Sequence, residues 1–117
     1  MTDNTLEEYA KNLMEKSRWL KAKLSEQRSL VEKSAKSEHE YRVALAQTMT
    51  TLRINGEPTT LIPDLARGDK NVAKLRMESQ VASGVSDACR EAIRALQSDM
   101  SAIQTLVSAL KAEMNLR

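Results

Sequence analysis

The side chain best suited to recognition in this chain is Trp19, which lies in the run KSRWLKAK with Arg18, Lys21 and Lys23 around it. A ring beside cations does one of two kinds of work. It anchors a protein interface by filling a desolvated pocket, or it stacks on a nucleic-acid base while the bases around it track phosphates. Between Lys11 and Lys36 there are eight basic residues against three acidic ones. Wound into a helix, these bases spread around the face away from the core. A phosphate-tracking surface is denser and one-sided, so the band reads first as a solvated helix face. Trp19 also fits a plainer role as filler of an oligomer seam. The candidate partner-binding set is Trp19 with Arg18, Lys21, Lys23 and Arg28, joined by Arg67 and Lys70 from the connection further on.

Other reactive groups point to less. His39 stands between Glu38 and Glu40, but consecutive helical positions diverge by about 100°, so the three cannot chelate locally. There is no second histidine, and neither a metal nor another cofactor is expected. Cys89 is the single cysteine. It can form no intramolecular disulfide and reads as a small buried hydrophobe. The sequence has no Gly-rich phosphate loop, no Cys/His pair in context and no Glu-x-x-His motif, so it gives catalysis no footing. Arg67-Gly68-Asp69 matches an integrin-binding tripeptide by chance, and here it reads as a helix stop followed by a helix cap.

The elements that hold these residues are long helices. Aromatics are limited to Trp19, Tyr9 and Tyr41, with only three glycines and two prolines, a composition that favours helix over sheet. From residue 72 to 114 core positions recur at three-four spacing: Val72, Leu75, Ser79, Ala82, Ser86, Cys89, Ile93, Leu96, Met100, Ile103, Val107, Leu110 and Met114. The first half carries a weaker seam through Leu6, Ala10, Leu13, Ser17, Leu20, Leu24, Gln27, Val31, Ser34, Glu38, Tyr41, Leu45, Thr48 and Leu52. Asn4 or Thr5 would start this helix. Asn55-Gly56 and then Pro58 would end it.

The expected organisation is one all-α domain over 1–117. A helix at about 5–53 and a connection at 54–69 lead to a second helix at about 70–115 that is capped by Asp69. A short helical turn within Thr60–Ala66 would point Leu61, Ile62 and Leu65 inward. A connection this short favours an antiparallel, coiled-coil-like hairpin. Matching large residues to small ones gives a register in which facing residue numbers sum to about 123, with Tyr41 against Ala82 and Glu38 near Ser86.

The second helix bears a further apolar stripe, made by Val81, Val85, Ala88, Ala92, Ala95, Ala102, Leu106 and Ala109. A helix with two stripes must be covered on two sides. The simplest completion is a second hairpin, so a homo-oligomer built as a four-helix bundle is expected, with these eight residues at its interface. The formal net charge of +2 excludes an acidic DNA mimic and lends nucleic-acid binding only weak support. No apolar run approaches the ~20 residues that span a bilayer, and the acidic, polar start does not resemble a signal peptide. A reduced cytoplasm is the expected compartment.

The stretch from Glu40 to Arg76 resembles a family of small hypothetical proteins from tailed phages and prophages of Gram-positive bacteria. The shared pattern runs through Tyr41, Arg42, Ala44, Leu45 and Ala46, then Gly56, Pro58, Thr60 and Ile62, then Arg67, Gly68 and Asp69. The family is functionally unassigned. The resemblance implies a phage context, often near replication or recombination genes, with action inside the infected cell. The expectation is therefore a non-enzymatic phage protein that binds a host, defence or phage replication protein through its bundle faces and its loop tip. The alternatives are a nucleic-acid-binding accessory of phage replication or recombination, and a structural virion component.

Overall fold

A computed structural model describes residues 2–116, with side chains from residue 4. It is an all-α helical hairpin: α1 spans Thr2–Ile54, α2 Ile62–Arg67 and α3 Lys70–Asn115. The chain divides into two compact units. One holds Met1–Gln27 and Ala88–Arg117, the other Arg28–Asp87.

Helix termini follow from local chemistry. The helix α1 starts at Thr2, a little before the expected cap at Asn4 or Thr5. It closes with Gly56 at φ +82°. There the Gly56 N–H donates to the Arg53 carbonyl at 3.1 Å and the Glu57 N–H to the Leu52 carbonyl at 3.1 Å. This crossed pair satisfies carbonyls that the helix end would otherwise orphan, and it needs a left-handed residue that only glycine supplies without strain. Near the same end, the Thr50 and Thr51 hydroxyls donate to the carbonyls of Ala46 and Gln47 at 2.9 and 3.0 Å, so these short polar side chains stay satisfied within the helix. Asp69 caps α3: its Oδ2 accepts from the N–H groups of Asn71 and Val72 at 3.0 and 3.1 Å. Gly68 keeps a right-handed φ of −80°, so the break before α3 is made by the capping aspartate rather than by a left-handed glycine.

In the tip unit, Ile62, Ala66 and Val72 are the most fully covered side chains, at 2%, 0% and 1% exposure. Ile62 and Ala66 stand four apart on α2, so one face of this short helix is buried. Leu61 and Leu65, expected to point inward, lie on its other side and are 49% and 43% exposed. A six-residue helix can bury only one narrow face, and the i,i+4 pair that wins here includes the small Ala66. Pro63 fits in the first turn, where its missing N–H costs nothing.

The seam of α3 is as expected from Val72 to Leu110, where every ladder position is buried or half-buried. Met114 is exposed. On α1 four of the fourteen expected seam positions are displaced. Leu6, Leu13, Ser17, Leu20, Gln27, Ser34, Tyr41, Leu45, Thr48 and Leu52 are half-buried as expected, but Tyr9, Lys23, Leu30 and Ser37 take the places of Ala10, Leu24, Val31 and Glu38. Burying Ser37 leaves Glu38 in water, where Arg42 Nε donates to it at 3.2 Å. Burying Glu38 would have meant desolvating a carboxylate. Lys16 and Lys23 tolerate seam positions because a lysine stem packs while its ammonium reaches out. Lys16 meets Asp99 at 3.6 Å, and Lys23 meets Glu26 at 3.1 Å.

The helices run antiparallel, but in a register other than the one expected. Lys16 pairs with Asp99, and the Cys89 thiol sits 3.6 Å from the Lys23 carbonyl oxygen. The expected register would have set Val107 against Lys16 and Met100 against Lys23, a slip of two to three turns. In the tip unit Leu30, Lys33 and Ser37 of α1 lie across a groove from Met77, Glu78, Val81, Ala82 and Val85 of α3.

Loss of the cap in Asp69→Ala is expected to lower stability by about 1 kcal/mol. Ile62→Ala should cost about 2–5 kcal/mol, and Leu61→Ala much less. Urea denaturation followed by circular dichroism measures all three. Equal losses at positions 61 and 62 would contradict the orientation of α2.

Candidate interaction surface

In the first unit, α1 carries Trp19 outward at 54% exposure. The Lys16 ammonium lies 5.7 Å from the centroid of the ring, within the range of a cation–π contact, and the same ammonium reaches Asp99 on α3. Lys16 thus braces the base of the indole while most of the ring stays free. Met14 is exposed as well. Arg18 and Lys21 are exposed beside Trp19, whereas Lys23 is half-buried and engaged with Glu26. The basic band is therefore interrupted at Lys16 and Lys23, both held by carboxylates.

The remaining candidates belong to the second unit. Arg28 is exposed on α1, roughly 40 Å along the helix from Ile54 at 1.5 Å per residue. Arg67 is exposed and pairs with Asp64 at 3.7 Å, and Lys70 opens α3 in an exposed position. Arg28 is thus separated from the tip bases within its own unit. His39 and Glu38 line a shallow surface with Ala35 and Arg42. Among the described residues no group of three or more His, Cys, Asp or Glu side chains is placed to hold a metal ion, and no helix is long and apolar enough to cross a membrane.

Of the eight residues on the second stripe of α3, Val81, Val85, Ala88, Ala95, Ala102, Leu106 and Ala109 are exposed, and Ala92 is half-buried. Within the tip unit, Val81 and Val85 edge a groove of about 360 Å3 between the helices. Leu30, Lys33 and Ser37 form its α1 wall, and Met77 and Glu78 continue the α3 wall over Ala82. Sequence reasoning missed this groove. The signal was available in the small Ser37 and Ala82 flanked by Met77 and Val81, but it becomes a groove only once the register is known. The exposed Ile54, Leu61 and Leu65 at the tip were likewise not foreseen as surface.

No protein-family model, curated protein or solved structure matches this chain.

Cys89 is buried at a seam position with its thiol against the Lys23 carbonyl. A thiol-specific reagent should label it slowly in the native protein and rapidly in denaturant. Fast native labelling would show that the pairing of α1 and α3 around this residue is open.

Proposed function

We propose that this chain is a non-enzymatic, phage-encoded interaction protein that acts in the host cytoplasm by binding another protein through exposed helix faces. The observation that carries this reading is the set of large apolar side chains left exposed, among them Met14, Trp19, Met77, Val81 and Leu106. Each is about half covered already, so covering the remainder would gain roughly 1 kcal/mol apiece. A surface of this kind is completed by a partner. The phage context rests on the resemblance of residues 40–76 and bears on which partners are sensible: a host or defence protein, or a phage replication component.

A nucleic-acid partner fits less well. Phosphate tracking needs free bases along one face, and two members of the basic band are already held by Asp99 and Glu26.

Affinity capture from host lysate with the full chain, with and without nuclease, tests the reading. The expected result is a protein retained after nuclease and at moderate salt, and lost with Trp19→Ala. Capture that vanishes with nuclease, falls steeply with salt and is abolished by charge reversal at Lys21 and Arg28 would replace it with the nucleic-acid reading.

A further inference from the structure

We infer that the groove of the tip unit is closed by the same groove of a second copy of this chain, the two related by a two-fold axis so that Lys33 of each copy faces Glu78 of the other. The inference rests on the interaction reading above and names one partner for this surface.

Two features of the groove favour a second copy over a foreign protein. The first is its shape. Met77 and Val81, both 59% exposed, stand as a ridge beside the trough over Ala82, which is 7% exposed. A surface that carries both a ridge and a trough can fill itself when two copies meet face to face, each ridge entering the other's trough as knobs enter holes. The second is charge. The α1 wall carries one cation, Lys33, and the α3 wall one anion, Glu78. A two-fold axis lying in the interface along the helices exchanges the walls, so α1 of one copy meets α3 of the other. Both Lys33–Glu78 contacts are then attractive, the self-complementarity that an isologous interface requires. Glu78 remains about half-exposed, with Lys74 only at the 4.0 Å edge of pairing distance, which leaves it open to a better-placed cation.

The test uses the full chain and two variants, Lys33→Glu and Glu78→Lys. Both positions are exposed, and unchanged helix content by circular dichroism verifies folding. The wild type is expected to show twice the mass of one chain by light scattering and native mass spectrometry. Each variant alone places two like-charge contacts in the interface and should dimerise at least about tenfold more weakly. An equimolar mixture of the two should recover dimer as a heterodimer, because in it both contacts are again attractive. A repulsion confined within one chain would not be relieved by mixing, so weakened variants that fail to recover on mixing overturn the proposal. Val81→Asp gives a second reading, with monomer as the expected result. A wild-type dimer indifferent to all three substitutions would place the interface elsewhere and also overturn it. A monomeric wild type overturns the second copy as partner, while the lysate capture decides the broader interaction reading independently.

Discussion

A helix in a two-helix pairing has one neighbour, and this sets what the rest of the structure can be. The three-four ladder of α3 gives each unit a continuous seam, but a seam between two helices encloses few side chains. Among the described residues only Ile62, Ala66, Val72, Ala82, Cys89 and Ile93 are buried apolar positions, joined by the polar Ser86. A globular chain of this length usually encloses more. The three deepest cluster at the tip, where α2 supplies a third element to pack against. Elsewhere apolar burial is confined to the α3 seam at Ala82, Cys89 and Ile93, and most other apolar side chains are half-covered or exposed.

How far the sequence reveals this depends on how much each position had to choose between. The α3 seam was legible because nearly every position on it is apolar or small and its neighbours are charged, so a single face stood out. The caps were legible because Asp69 and Asn55-Gly56 are residues whose chemistry has few other uses at a helix boundary. The α1 seam was legible except at Ala10, Leu24, Val31 and Glu38. Leu24 and Val31 argue for one set of positions, and Tyr9 and Leu30 for a set one residue earlier. The tie is broken by the cost of burying Glu38, a term that apolar spacing does not contain. The register was not legible at all. A heptad pattern is unchanged by a slip of seven residues, so apolar spacing alone does not choose between registers.

The candidate site divides the same way. Trp19 was visible as a large ring off the seam, and it is exposed. The stripe from Val81 to Ala109 was visible as a second period on one helix. The groove combines residues of both helices and exists only in the true register, so it could not be found from either helix separately. The basic band shows the opposite error. Counted along the chain it looks continuous, but Lys16 reaches across to Asp99 on the other helix, a neutralisation that no count along one segment reveals.

The closed end also bears on how the chain folds. Ile62, Ala66 and Val72 lie within eleven residues of one another, and the crossed hydrogen bonds at Gly56 and the cap at Asp69 are all made between near neighbours in sequence. Contacts of this kind require the closure of very short loops, whereas pairing Lys16 with Asp99 closes a long one. Loop entropy rises with length, and rates follow the sequence separation of contacts. The tip is therefore the least costly place to begin, and each turn of α1 laid against α3 shortens the loop that the next must close. The hairpin is built to zip from its turn outward, with its terminal segments joining last.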